Sequence, residues 1–171
     1  MSAKKRIRLI LTGGTIEKTY DELSGVLSNR VSVLDYMLSQ LQLEGVSLDR
    51  VSLMNKDSRD MSEEDHEMIA LAAIEATDSY DGVVVLHGTD RLSHTGERIA
   101  ADASLLKAPV VLTGAMRPWI LRNTDARQNL TEALLAVMLL DSGVYVAMHN
   151  NVLQFPGVIK DRERGRFVRS T

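Results

Sequence analysis

Five short apolar runs, rich in β-branched residues, punctuate the chain: Ile7–Leu11, Arg50–Met54, Val83–His87, Val110–Thr113 and Val144–Met148. Each is bounded by turn-forming residues, and its apolar positions are nearly continuous rather than alternating. That pattern predicts strands buried on both faces. Between the runs the spacing becomes helical. Ser62-Glu-Glu-Asp65 has the form of a capping box, and Ile69, Ala72, Ala73 and Ala76 then share one face. Ile99, Ala103 and Leu106 predict a second helix, and Leu130, Leu134 and Val137 a third, stopped at Gly143. Val33, Met37 and Leu41 predict a weaker one between the first two strands.

The order is β-α-β-α-β-α-β-α-β. It implies an α/β fold: a flavodoxin-like parallel sheet of about five strands, with helices on both faces. Two segments fall outside the pattern. Glu17–Arg30 is polar, contains Tyr20 and Gly25, and reads as a long loop of the kind that forms lids. The tail from Gln154 lacks periodicity and ends in a basic cluster, with five Lys/Arg against two Asp/Glu over Lys160–Thr171. That tail reads first as a solvated, frayed end, and second as a source of arginines for a neighbouring subunit.

Composition narrows the chemistry. With 171 residues, the chain is expected to form one domain over 1–171. Apolar residues at 44% and charged residues at 25% fit a globular protein with a core. Cysteine is absent, which removes thiol nucleophiles, disulfides and cysteine-based metal sites. A formal charge of -3 argues against a general nucleic-acid binder. The longest apolar run, Ala133–Leu140, is too short to span a bilayer. The basic start at Met1–Arg8 leads into an apolar stretch that stops at Thr-Gly-Gly, so no secretory leader is expected. The expected location is the cytoplasm, with no membrane association.

In open α/β sheets, ligands bind beyond the carboxyl ends of the strands, where the strand order reverses. For an order 2-1-3-4-5, the reversal lies between the first and third strands. The loops at these ends are Thr12-Gly13-Gly14-Thr15-Ile16, Asp57-Ser58-Arg59-Asp60, His87-Gly88-Thr89-Asp90 and Thr113-Gly114-Ala115-Met116-Arg117-Pro118. This order sets Thr15 opposite Thr89, with Ser58 on one side and the Gly114–Ala115 backbone on the other. Paired glycines let backbone N–H groups approach a ligand closely. A threonine hydroxyl is a weak nucleophile and needs a base or proton relay. Asp90 can hold an ammonium group or orient a lysine, and Ser58 can donate to a carboxylate. Small, polar, zwitterionic ligands suit this inventory.

Plainer readings stand beside these. Thr-Gly-Gly-Thr after a strand equally describes a structural or phosphate-cradling turn, and it is neither a Walker loop nor G-x-G-x-x-G. His-Gly-Thr-Asp alone fits a helix cap as well as a site. His87, His94 and His149 read as satisfied polar residues, and His66-Glu67 lacks the second histidine of a zincin helix, so no metal is expected. Trp119 reads as packing or an oligomer contact. The combination of four hydroxyl- and glycine-bearing loops on one sheet edge favours a site.

Thr12–Ile16 (TGGTI), His87–Asp90 (HGTD) and Thr113–Pro118 (TGAMRP) together resemble the bacterial-type L-asparaginase family, in a short, single-domain form. The resemblance runs from the first strand to about Lys160. It implies hydrolysis of L-asparagine to aspartate and ammonia, often with some glutaminase activity, without metal or cofactor. By position, Thr15 resembles the catalytic threonine that forms an acyl-enzyme, and Tyr20 the tyrosine that activates or positions it. Thr89 resembles the second catalytic threonine. Asp90 resembles the neighbour that also binds the substrate α-amino group, and Lys160, in Val158-Ile-Lys160, the relay lysine. Ser58 resembles the carboxylate-binding serine. Gly88 and Arg59 fall among the substrate-binding positions, and Ala115 would act through its carbonyl near the leaving amide.

Two departures from the family pattern stand out. Arg59 occupies the place usually held by a glutamine that helps bind the α-amino group, and a cation there disfavours an ammonium. The family usually continues into a smaller C-terminal domain that builds the intimate dimer, and this chain stops at Thr171. A homo-oligomer, dimer or tetramer, is the resulting expectation, with a small amino-acid substrate as partner. Two alternatives accompany the asparaginase reading: a glutaminase or other small-amide hydrolase, and a non-catalytic amino-acid-binding or regulatory module. A nucleotide-binding flavodoxin-like protein is a remoter third.

Overall fold

The central strands are mostly apolar and buried on both faces, so each must be covered on both sides, and the fold is the means of covering them. In the computed structural model, which describes residues 3–28 and 33–170, β1 (Lys5–Gly13), β4 (Val46–Lys56), β5 (Gly82–Leu86), β6 (Pro109–Thr113) and β7 (Gly143–Met148) form a parallel sheet. Its order is β4-β1-β5-β6-β7, the predicted 2-1-3-4-5. A further strand, β8 (Asn151–Gln154), adds antiparallel to β7 at the edge. Two hairpins stand outside the sheet: β2 (Thr19–Asp21) with β3 (Val26–Ser28), and β9 (Val158–Asp161) with β10 (Arg166–Arg169).

The strand alternation divides the core in two. Ile7, Leu9, Val84, Leu86 and Val111 face α4 (Ala126–Leu139) and the short α1 (Leu34–Ser39), through Leu130, Leu134, Val137 and Met37. Ile10, Val83, Val85, Val110 and Leu112 face α2 (Glu63–Ala76) and α3 (Leu92–Ala101), through Ile69, Ala73, Leu92 and Ile99. Helix α2 starts where the capping box predicts. The Ser62 hydroxyl accepts from Asp65 N at 3.3 Å, and the Asp65 carboxylate accepts from Ser62 N at 2.9 Å. Among the described residues, no helix is long and apolar enough to cross a membrane.

The structure corrects several sequence expectations. The segment Arg50–Met54 belongs to a longer strand at the sheet edge, paired only with β1 and half-exposed, so it is not covered on both faces. Helix α3 ends at Ala101, and Ala103 begins a separate 3₁₀ turn instead of continuing the same helix. Gly143 does not stop α4, which ends at Leu139; it opens β7. The loop expected over Glu17–Arg30 is largely the β2–β3 hairpin, with positions 29 and 30 outside the described residues. The tail is a hairpin as well: Val158 and Phe167 are buried against the α3 side of the sheet, which anchors a segment read as frayed.

Helix α4 offers a test of this core. Leu130 is fully buried, whereas Leu139, on the same helix, is 74% exposed. Leu130→Ala is expected to cost about 2–5 kcal/mol in urea unfolding, and Leu139→Ala within about 0.5 kcal/mol. Equal losses would contradict the assignment of the buried face.

Candidate active site

The carboxyl ends of β1, β4, β5 and β6 are stitched together before any ligand is considered. Thr12 Oγ1 donates to Leu86 O at 2.7 Å, Gly14 N to Lys56 O at 3.0 Å, and His87 N to Thr113 O at 2.9 Å. Gly14 has φ +86°, and a Cβ there would lie 2.5 Å from Gly88 N. A Cβ on Gly88 would lie 2.6 Å from Ser58 Oγ. Both positions therefore require glycine. Their contact joins the loop that carries Thr15 to the loop that carries Thr89.

Beneath this contact lies a buried relay of polar side chains. His87 Nδ1 lies 2.8 Å from Gly88 O, so that nitrogen carries the proton and Nε2 accepts. Thr95 Oγ1 then donates to His87 Nε2 at 2.7 Å, and accepts from His66 Nδ1 at 2.6 Å. His66 Nε2 is left with no hydrogen-bond partner among the described residues. Burial pushes the pKa of both rings down to about 4, with the charges of His94 and Arg91 adding to the effect at His66. The histidines at these positions serve the fold, and the Gly88 carbonyl is held by one of them.

Above the contact, Lys160 reaches in from β9. Its Nζ donates to Thr89 Oγ1 at 2.8 Å and to Asp90 Oδ1 at 2.8 Å. The lysine side chain is largely buried, and Thr89 also donates to the Met116 sulfur at 3.6 Å. Ser58 is buried and its Oγ accepts from Arg91 N at 3.3 Å. Thr15 is half-buried, and its hydroxyl makes no hydrogen bond among the described residues. Ala115 is buried in the loop after β6. Asp125 shapes that loop by accepting from Met116 N at 3.0 Å and Arg117 N at 2.9 Å. Burial alone would raise the Asp125 pKa; hydrogen bonds from Met116, His149 and Arg117 outweigh it and hold the carboxyl below its ordinary value.

The structure thus brings Ser58, Arg59, Gly88, Thr89, Asp90 and Lys160 together, with Thr15 on the adjoining loop. Tyr20 does not join them. It stands on β2, 59% exposed, with no hydrogen bond to Thr15 among the described residues. Sequence reasoning missed three contributors. Arg162 Nη1 lies 3.8 Å from Asp90 Oδ1; its spacing of two from Lys160 was the available signal. Lys18 Nζ donates to Asp57 at 2.9 Å, and Glu97 accepts from Gly157 N at 2.7 Å at the foot of the β9–β10 hairpin.

The family model described as "Asparaginase, N-terminal" matches residues 6–164. The chain belongs to the asparaginase family. It is 31% identical over 148 residues to an L-asparaginase of Thermococcus kodakarensis, an alignment covering 86% of this chain and 45% of that protein. It is 33% identical over 136 residues to L-asparaginase 1 of Escherichia coli strain K12, covering 77% of this chain and 40% of that protein. The solved structure of the thermostable L-asparaginase from Thermococcus kodakarensis superposes with a TM-score of 0.83 at 30% identity, over 96% of this chain and 51% of that one. The chain spans about half the length, or less, of the relatives it matches.

The buried imidazoles set a pH dependence of stability. Both stay neutral in the fold down to about pH 4, while in the unfolded chain they bind protons below about 6.5. The unfolded state therefore binds more protons across this window, and stability falls as pH drops through it. His87 alone accounts for about 3 kcal/mol over the full window. Urea midpoints measured at pH 7.5, 5.5 and 4.5 are expected to fall steadily. A midpoint that is flat from 7.5 to 4.5 would contradict two neutral buried rings.

Proposed function

We propose that the sheet edge is the catalytic half of an amidohydrolase that releases ammonia from a small primary amide of the asparagine type. The observation that carries this reading is the forked contact of Lys160 with Thr89 and Asp90, both at 2.8 Å, set beside the loop that presents Thr15. A lysine shared between a hydroxyl and a carboxylate provides a path for a proton. Family membership, and relatives named as L-asparaginases, support the same chemistry.

In this scheme Thr15 Oγ attacks the amide carbon, the carbon–nitrogen bond breaks, and ammonia leaves as an ester forms on Thr15. Water activated at Thr89 then attacks the ester. Its proton passes by way of Thr89 to Lys160 as Lys160 hands one of its own to the Asp90 carboxylate; returning that proton to the Thr15 oxygen restores the hydroxyl as the carboxylic acid product leaves. Tyr20, which stands on β2 without a hydrogen bond to Thr15 among the described residues, is assigned by the family resemblance to position the Thr15 hydroxyl on ligand binding. Backbone groups of Gly88 and Ala115 would line the amide end, and Ser58 the carboxylate end.

Ammonia release from asparagine, glutamine and related amides tests this assignment. Thr15→Ala and Thr89→Val are each expected to lower kcat/KM by at least about 10³-fold, because each removes a group acting on the reacting bond. Turnover that persists unchanged in both variants would overturn the mechanism. Binding of an amino acid without ammonia release from any amide would instead favour a non-catalytic module.

A further inference from the structure

Three cations surround the Asp90 carboxylate. Lys160 Nζ is 2.8 Å from Oδ1, Arg162 Nη1 is 3.8 Å from the same oxygen, and Arg59 Nε is 3.8 Å from Oδ2. Arg59 is 65% exposed, yet it is fixed at the rim of the site. Asp57 accepts from Arg59 Nε at 3.1 Å and Nη2 at 2.9 Å, a two-pronged fork, and also from Arg59 N at 3.0 Å. Lys18 Nζ donates to the same Asp57 carboxylate, at Oδ2, at 2.9 Å. Such a fork defines direction as well as distance. The guanidinium is thereby held toward Asp90.

The charge count follows. Lys18, Arg59, Lys160 and Arg162 supply four positive charges, and Asp57 and Asp90 two negative ones, leaving a formal excess of two. Asp60, near Arg59, reduces that excess to one at most. A ligand ammonium seeking Asp90 would enter beside Arg59 and Arg162, competing with Lys160 for one carboxylate. A ligand with a net negative charge meets the opposite field, and like-charge juxtaposition is the stronger discriminator between the two. Ser58, whose oxygen accepts from Arg91 N, keeps its own O–H available for a ligand carboxylate.

We propose that the site selects carboxylic acids bearing a primary side-chain amide whose α-nitrogen is absent or acylated, so that the ligand enters as a monoanion and not as a zwitterion. Arg59 is then the specificity-determining residue, with Arg162 reinforcing it. The ligand carboxylate is received by the Ser58 hydroxyl and the Arg59 rim, and the amide is carried toward Thr15. Water adds across the amide to give the dicarboxylic acid and ammonia, with no other reactant. This selectivity rests on the amidohydrolase reading, although the charge preference can be measured apart from it.

The experiment compares succinamic acid, N-acetyl-L-asparagine and L-asparagine as substrates of the full chain, by ammonia release and by calorimetric binding. The two monoanions are expected to show kcat/KM at least about tenfold above asparagine, with KM rising as salt is added. Arg59→Gln, checked for folding by circular dichroism, is expected to shift the succinamate-to-asparagine ratio toward asparagine by about tenfold or more, and Arg162→Gln by less. Preference for asparagine in the wild type, or an unchanged ratio in Arg59→Gln, overturns the proposal. Ammonia release from none of the three would count against the amidohydrolase reading. In that case, tighter binding of succinamate than asparagine still supports the charge selection, and equal, weaker or absent binding of succinamate refutes it.

Discussion

The functional edge depends on one constraint, the approach of three loops to backbone distance. Gly14 lies against the Gly88 backbone, and Gly88 lies against Ser58, each too close for a side chain to intervene. The consequence runs beyond local shape. Ser58 also accepts from Arg91 N, just before α3, so moving Ser58 aside to admit a methyl group would disturb the start of that helix. From below, His87 holds the Gly88 carbonyl through a chain that passes to Thr95 and ends at the buried His66. The loop is thus pressed from the rim and held from the core, and its position costs two neutral histidines in the interior.

That arrangement separates rigid from adjustable parts. Asp125 and Asn129 hold the loop after β6, with Asn129 Nδ2 donating to Gly114 O at 2.9 Å and to Asp125 at 3.0 Å. The β2–β3 hairpin has few such ties: Tyr20, Leu23 and Val26 are all exposed. Lys18, at its base, is the exception, because it is committed to Asp57. The hairpin is therefore tied at Lys18, where it adds charge to the rim, and exposes the Tyr20 side chain. Exposed side chains such as these contribute little to local stability.

Most of the sheet was legible in the chain because buried parallel strands leave a strong trace. Apart from Arg8 and Thr113, Ile7–Leu11, Val83–Leu86 and Val110–Thr113 are apolar on both faces, and their order is the one expected of a flavodoxin-like sheet. The edge strand β4 and the two hairpins left a weaker trace, since half-exposed strands mix charges with apolar residues. The β9–β10 hairpin shows this best: Val158 is buried, Ile159 exposed and Lys160 turned inward, an alternation too short to rise above a basic tail. Thr15, Thr89 and Asp90 were legible as loop chemistry, whereas Lys160 entered only through family resemblance. The Arg162 contact with Asp90 and the Lys18 contact with Asp57 join positions dozens of residues apart, which only the folded chain brings together.

Helix α3 explains how such distant residues keep their distances. It begins two residues after Asp90, so its first turn inherits the position of the Thr89–Asp90 loop. One turn on, Gly96 faces the Phe155 ring, where an added Cβ would lie 2.2 Å away. Glu97, the next residue, accepts from Gly157 N at 2.7 Å and Val158 N at 3.3 Å. The helix therefore seats the foot of the hairpin that returns Lys160 to Thr89 and Asp90. Thr95, on the same stretch, bridges the two buried histidines under Gly88. Residues 95 to 97 thus tie the floor of the site, the packing of Phe155 and the lysine hairpin to one rigid rod. The helix thus supports the spacing of threonine, aspartate and lysine from behind, as the loop contacts fix it from the rim.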